Sequence, residues 1–571
     1  MICAFRLNIS VSMKRLIIVV LLLINYSLYS QVNINGSHLN RIINNSWVDS
    51  VYNQLTPEQR IAQLFWITAE EIRNNYNFKE RISLIGKYQP GGILFMKNDA
   101  ESIAHFVNKA NSVSLVPPIM VVDAEYGLAM RIDGVTRFPD AMTMGAVKDL
   151  KMHYMMGNNV AQQLKRMGIH VDLAPVADVN SNPLNPIIGS RSYGENPVEV
   201  AKRSVAFMLG LQNEGVMAVA KHFPGHGDTD TDSHLDLPVV NRSREILDSI
   251  DLLPFRALIK NGILGIMTGH IEVPALEEKS GLPASLSKSI VTDLLKVNMG
   301  FEGLVITDAM NMQGVKKKGE PGVIDAMALA AGNDIIESTE NLPKAIDEVN
   351  KLIKDSTLTW TDIENKCKKV LTLKRLLGID QFRLVKTENC IRDLNEITDS
   401  ELIQSFYDQS ITKIGQNDTG KVAPLEEGKL LIKLDGFDTD GLLDQELDTG
   451  WSSFVVENVK GADEIKNNNK FDRIVIGLTS QPNDINIWND NEFQMLVNDL
   501  DSTKKLTVIY VGSPYSLKKF NNILDKKELV IGYESVYYTY KSLAKYLTGK
   551  LIPDGKLPVS LCSILKTYSG N

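Results

Sequence analysis

Gly303-Leu-Val-Ile-Thr-Asp308 is an uncharged run that ends in a carboxylate, and Met217-Ala-Val-Ala-Lys-His222 repeats the design with cationic residues at its end. A strand with no polar face is buried on both sides, as in a parallel sheet covered by helices. Working outward from these two, comparable runs lie at Gln63–Ile67, Gly92–Met96, Ile119–Asp123, Val171–Pro175, Gly265–His270 and Asp334–Glu337. Helical patterns such as Pro197–Asn213 and Ser287–Val297 fall between them. Eight β–α units in about 330 residues predict a (β/α)8 barrel with insertions. A doubly wound open sheet would read similarly strand by strand. The polar residues favour the barrel. Asp123, Asp178, Lys221, His222, His270 and Asp308 fall at or just past the C-terminal ends of predicted strands, where barrel enzymes place their chemistry.

The alternation resumes on a smaller scale beyond the barrel, which the sequence assigns to residues 49–388. Leu430–Leu434, Ser453–Val456, Arg473–Leu478, Leu506–Val511 and Leu529–Gly532 read as strands, Tyr537–Leu547 as a late helix, and Gly555–Ser560 as a closing edge strand. Five strands in residues 389–571 predict a smaller three-layer α/β domain of flavodoxin-like type. No catalytic cluster stands out in it.

The N-terminus has a different character. Lys14 and Arg15 precede the apolar run Leu16–Ile24, with small and polar residues to Ser30, the layout of a cleavable export signal. The run is too short for a permanent membrane anchor. Residues 1–30 are therefore expected to be a signal peptide and 31–48 a linker, with a periplasmic or extracellular destination. The four cysteines, Cys3, Cys367, Cys390 and Cys562, form neither a disulfide framework nor a CxxC metal site. A formal charge of −8 offers no basic footprint for nucleic acid. Nothing in the sequence indicates an oligomeric state.

The densest chemistry lies in Lys221-His-Phe-Pro-Gly-His-Gly-Asp-Thr-Asp-Thr-Asp-Ser-His234. Asp228, Asp230 and Asp232 alternate like the start of a calcium loop, but the glycine and glutamate that complete one are missing, and no HExxH supplies a zinc site. No metal and no cofactor are expected. Asp232-Ser-His234 reads better as a proton-transfer dyad, because a carboxylate on one imidazole nitrogen raises the basicity of the other. Asp308 is the nucleophile candidate; a lone strand-end Asp is otherwise often a helix cap. Ser285-Leu-Ser-Lys288 and Ser516-Leu-Lys-Lys519 match S-x-x-K without the partners that serine chemistry needs.

The run Lys221 to Pro238 fits K-H-F-P-G-H-G-D-T-x-x-D-S-H-x-x-x-P without a break. With Pro283–Ser287, Gly300–Asp308 and Ala331-Gly-Asn-Asp334, the chain from about Leu55 resembles the glycoside hydrolase family 3 β-N-acetylglucosaminidases of the NagZ type. The resemblance implies a retaining double displacement with Asp308 as nucleophile and His234, assisted by Asp232, as acid/base. It implies that Asp123, Arg131, Arg191, Lys221 and His222 hold a terminal β-linked GlcNAc, with peptidoglycan fragments as the source. His270 either packs beneath the site or touches sugar. The chain departs from the family's D-Q-E-G-G-x-V-x-R in Asp123-Ala-Glu-Tyr-Gly-Leu-Ala-Met-Arg131, whose end residues keep their spacing. Phosphorolysis, a β-glucosidase on the same scaffold, and a non-catalytic glycan-binding barrel are the competing readings.

Overall fold

The computed structural model describes residues 45–560 except 233–234, 382, 415–427, 435, 448–449, 457–470, 472, 480–504 and 521–527. The expected signal peptide, most of the linker and His234 lie outside the described residues.

Seven parallel strands follow one another in sequence order: β1 Trp66–Ala69, β2 Gly92–Phe95, β3 Ile119–Val122, β4 Val171–Asp172, β5 Met217–Phe223, β6 Gly265–Thr268 and β7 Leu304–Thr307. Every residue of β2, β3, β5, β6 and β7 is buried, including Lys221 and His222 in β5. The eighth candidate, Asp334–Glu337, joins the two ends of the sheet through single bridges, Ile335 to Ile306 and Ile336 to Phe65. Trp66 donates its N–H to the Ile336 carbonyl at 2.9 Å, and Ile336 donates to the Leu64 carbonyl at 2.9 Å. The result is a TIM-like α/β unit. The first strand starts later than the apolar run suggests. The N–H groups of Leu64 and Phe65 are taken by the carbonyls of Ile61 and Ala62 at the end of the preceding helix, which delays strand pairing to Trp66.

The helix Pro197–Asn213 forms where its signals place it. Pro197 opens it and the Asn196 side chain caps the N–H groups of Val198 and Glu199. It packs on the helix Leu150–Arg166 at very short range. A Cβ at Gly210 would stand 2.2 Å from the Tyr154 carbonyl oxygen, so only glycine fits there.

A second sheet has the order β10-β9-β11-β12-β13-β8, from β8 Thr412–Ile414, β9 Lys429–Leu434, β10 Trp451–Val456, β11 Arg473–Thr479, β12 Lys505–Val511 and β13 Glu528–Gly532. All its pairings are parallel except that of β8 with β13. Residues alternate between two cores, as a period of two demands. Leu430, Ile432, Ile474, Ile476, Val508 and Ile531 face Met142 and Ala146 of the barrel unit, while Leu431, Val475, Ile509 and Val530 face Leu543 and Leu547 on the helix Tyr537–Leu547.

The expected edge strand Gly555–Ser560 does not form, and β8 takes that edge instead. Pro558 lacks a ladder donor, and the segment's other bonds are spent elsewhere: Gly555 donates to Ile411, Lys556 donates to Ala146, and Glu195 donates to the Pro558 carbonyl. Cys390, Leu394, Ile403 and Phe406, which follow the expected boundary, pack into the barrel's hydrophobic core.

Candidate active site

The strand ends converge as the barrel geometry requires. Asp123 immediately follows β3, Lys221 and His222 close β5, and Asp308 immediately follows β7. Lys221 is only 2% exposed, so its charge must be paired. Its Nζ reaches Asp123 Oδ1 at 2.7 Å and Glu125 Oε1 at 2.9 Å. The second oxygen of Asp123 takes Arg131 Nη2 at 2.6 Å. Glu125 takes Arg191 through Nη2 at 2.7 Å and Nε at 3.0 Å, the two-pronged geometry that suits a guanidinium. Five charges thus form one continuous lattice.

Burial works to raise the carboxyl pKa values in this lattice and the cations outweigh it. Lys221 and Arg131 hold Asp123 below the ordinary range, and Arg191 with Lys221 holds Glu125 far below it. Burial works against the ammonium of Lys221 in turn, and Asp123 and Glu125 more than restore it.

Beside the lattice, Asp178 accepts from His222 Nδ1 at 2.7 Å and from the backbone N–H of His226 at 2.8 Å. That carboxylate orients the His222 ring. Asp308 accepts the N–H of Ala309 at 2.8 Å, while its own N–H goes to the Thr268 carbonyl at 2.9 Å. Burial would raise its pKa, but His222, His270, the Ala309 N–H and Lys221 hold it below the usual carboxylate value. An ionised carboxylate fixed at a strand end has the charge state a nucleophile needs. His270 is fully buried, its Nδ1 2.7 Å from Ser285 Oγ and its Nε2 3.1 Å from the Ala309 carbonyl, so it supports the turn that carries Asp308.

The Gly- and Asp-rich loop begins buried and ends exposed. A Cβ at Gly227 would lie 1.8 Å from the Val179 carbonyl oxygen, so the loop can press onto the neighbouring segment only with glycine there. Asp228 faces a guanidinium: Arg242 Nη2 reaches its Oδ1 at 2.7 Å, and Arg242 Nη1 reaches Asp251 at 2.9 Å. Among the described residues no group of three His, Cys, Asp or Glu could hold a metal ion. Farther on, the Asp232 carbonyl accepts from Leu235 and Asp236, and Asp236 pairs with Lys317 at 2.8 Å across the loop that follows Asp308. Leu235, next to His234, is 72% exposed.

Sequence reasoning did not assign site roles to Glu125, Asp178, Asp172 or Glu337. Glu125 carried a usable signal, since it stands three residues past the end of β3 and two from Asp123. Asp172 is fully buried beneath the lattice, where its Oδ1 accepts the Ala124 N–H at 2.9 Å; burial pushes its pKa up to about 8. A cavity of about 1000 Å³ lies at the opposite end of the barrel, beside His170 and Gly215, which precede β4 and β5. None of the site residues lines it.

The second sheet touches the loops around the site. Glu534, just past β13, accepts from the Asp140 N–H at 2.8 Å and pairs with Arg137 at 3.1 Å, and Arg137 covers the Tyr126 ring at 4.3 Å. Tyr515 donates to the Asn180 carbonyl at 3.1 Å.

The pattern of the glycosyl hydrolase family 3 N-terminal domain matches residues 56–373, which hold all of these strand-end groups. The chain belongs to glycosyl hydrolase family 3. It is 34% identical over 279 residues to a β-hexosaminidase A of Pseudoalteromonas piscicida, a match covering 45% of this chain and 47% of that one. A β-hexosaminidase of Nitrosomonas eutropha is 33% identical over 269 residues, covering 45% of this chain and 76% of the relative. Among solved structures, a glycoside hydrolase family 3 β-N-acetylglucosaminidase from Paenibacillus sp. str. FPU-7 superimposes with a TM-score of 0.72 at 26% identity, over 89% of this chain and 99% of that one. The chain thus spans about half the length of the Pseudoalteromonas enzyme and nearly all of the Paenibacillus one.

Proposed function

We propose that this family 3 chain is a retaining exo-β-N-acetylglucosaminidase. Asp308 attacks the anomeric carbon, the glycosidic bond breaks, and the imidazolium of His234 gives its proton to the departing oxygen. His234 then takes a proton from water as that water displaces Asp308, so the sugar leaves with its configuration retained. Asp232 sets the tautomer of His234 and stabilises its charged form. The observation that carries this reading is the ionised Asp308, which shares one barrel mouth with the Asp123–Lys221–Glu125 lattice and with the loop that leads to Asp232. In that lattice, Arg131, Arg191, Lys221 and Asp123 present fixed donors and acceptors to the sugar, and His222, oriented by Asp178, adds another. The hexosaminidase names of the relatives support GlcNAc as the sugar.

The strand order β10-β9-β11-β12-β13 corresponds to 2-1-3-4-5, which supports a flavodoxin-like second domain that braces the barrel loops. The N-terminal apolar run supports export and a substrate drawn from peptidoglycan fragments outside the cytoplasm.

Trapping with a 2-fluoro sugar should label Asp308, and Asp308→Asn should lower kcat by about 10⁴-fold or more. Label on another residue sinks the assignment. The same assays run in phosphate buffer should give free sugar; accumulation of a sugar 1-phosphate would move the reading to phosphorolysis.

A further inference from the structure

Glu337 is a second carboxyl group at the mouth, and the mechanism above does not use it. It ends the segment that closes the barrel, and its backbone brackets Asp308: its N–H donates to Thr307 Oγ1 at 3.0 Å, and its carbonyl accepts from the Met310 N–H at 3.0 Å. The residue is 3% exposed, and its Oε2 has no hydrogen-bond partner. A buried polar atom left in this state costs about 1–3 kcal/mol, which makes it a candidate for a partner that arrives with the ligand.

The charged groups that face it are Asp123 beyond β3, Arg131 in the loop after it, Lys221 on β5 and Asp308 beyond β7. They are the same groups that line the sugar site. We propose that Glu337 is a further substrate-contacting residue, its unpartnered carboxyl hydrogen-bonded to a hydroxyl of the pyranose seated against Asp308. The proposal rests on the glycosidase reading of this mouth.

Two neighbouring negative charges explain why the acid form is the useful one. Burial first, and then Asp123 and Asp308, push the Glu337 carboxyl well above its ordinary value, against the pull of Lys221 and Arg131. Protonated, it adds a donor to a site whose other carboxylates can only accept. Deprotonated, it would lose that donor and add a third negative charge to Asp123 and Asp308, which like-charge repulsion disfavours. Contact with a hydroxyl rather than with the leaving group makes it a residue of sugar recognition.

The test compares Glu337→Gln with Glu337→Leu on an aryl β-GlcNAc, after the wild type has shown turnover and Asp308 labelling. Glutamine keeps the shape and a donor, so kcat/KM should stay within about threefold. Leucine removes the donor, and kcat/KM should fall about 10–100-fold with Tm unchanged or raised. Any alkaline limb that comes from the acid/base group is common to both proteins; beyond it, the wild type should lose kcat/KM through a further ionisation that Glu337→Gln lacks, because only the acid can ionise. Full activity of Glu337→Leu overturns the proposal, as does a glutamine variant that folds normally yet loses as much as leucine. An identical alkaline limb in wild type and Glu337→Gln overturns it too. A wild type without turnover would instead overturn the glycosidase reading itself.

Discussion

The two sides of the barrel mouth are built on opposite principles. On one side Asp123, Glu125, Lys221, Arg131 and Arg191 stand at strand ends or against them, each charge met by another at 2.6–2.9 Å. On the other side the run from Gly225 to Pro238 is tied at Asp228 by Arg242 and at Asp236 by Lys317, and between those ties its exposure rises to 72% at Leu235. Holding a sugar rewards groups fixed before the ligand arrives, since no ordering cost is then paid on binding. Moving a proton to a departing oxygen, and later from water, asks one imidazole to serve two partners in turn. A loop clasped at two points suits that work better than a strand end.

The hardest blow to this contrast is Lys221→Met. It leaves Asp123 and Glu125 buried with one cation fewer, and breaking a buried pair costs about 3–5 kcal/mol. Chemical denaturation should report a loss of that order, together with a collapse of kcat/KM. A variant of normal stability and activity would mean that the lattice is not the rigid half of the site.

The next effect in size concerns what lies under the lattice. Asp172 is fully buried with its pKa pushed up to about 8 by burial, so the folded protein holds a proton there that the unfolded chain releases near pH 4. Its stabilising contribution is complete below about pH 4 and is lost as pH rises through the folded value, by at most about 1.4 kcal/mol per pH unit. Asp172→Asn cannot titrate, yet it keeps an acceptor for the Ala124 N–H. The difference in stability between wild type and variant should therefore move with pH between about 4 and 8 and level off above that window. A difference that stays flat from pH 4 to 9 would show that Asp172 ionises normally and that the lattice floor is wetter than its burial implies.

Which parts of this were legible in the sequence follows from how each is built. The strands β2, β3, β6 and β7 announce themselves because burial on both faces leaves no charged residue within them, and the chemistry falls at or near the point where the apolar run stops, inside the strand in β5. Asp308 and Lys221 are found in this way. Glu337 ends the candidate strand Asp334–Glu337, yet that short run also begins with a carboxylate and belongs to no catalytic motif, so nothing in the sequence gives its terminal carboxyl a place in the site. Glu125 lies inside the altered stretch between Asp123 and Arg131, and the ion pair it makes with Arg191 joins residues far apart in the chain. Gly555–Ser560 has the apolar pattern of an edge strand. Its backbone bonds go to Ile411, Ala146 and Glu195, and contacts of that kind leave no periodic trace. The Arg242–Asp228 tie is another such choice: the alternating aspartates do not reveal in sequence which of them meets a guanidinium.

The smallest expected effect tests the loop side. Lys317 and Asp236 are 51% and 58% exposed, whereas Lys221 and Asp123 are 3% and 16% exposed, although the two pairs have nearly equal lengths of 2.8 and 2.7 Å. Water screens the outer pair, so Lys317→Ala should leave the fold untouched. Its effect belongs in the proton-transfer step. With the far tie cut, the segment leading from Asp232 should sample more positions, and substrates with poor leaving groups, which need the proton most, should slow by up to about threefold. Activated aryl substrates should hardly respond, and KM should not change, because the lattice proposed to hold the sugar is intact. Salt provides an internal check: raising ionic strength from 0.1 to about 1 M shortens the screening length from about 10 to about 3 Å, so wild type should drift toward the variant while the variant stays put. A rise in KM, or equal slowing of both substrate types, would mean that the tie supports sugar binding, and the proposed division between a sugar-holding half and a proton-transferring half would have to be redrawn.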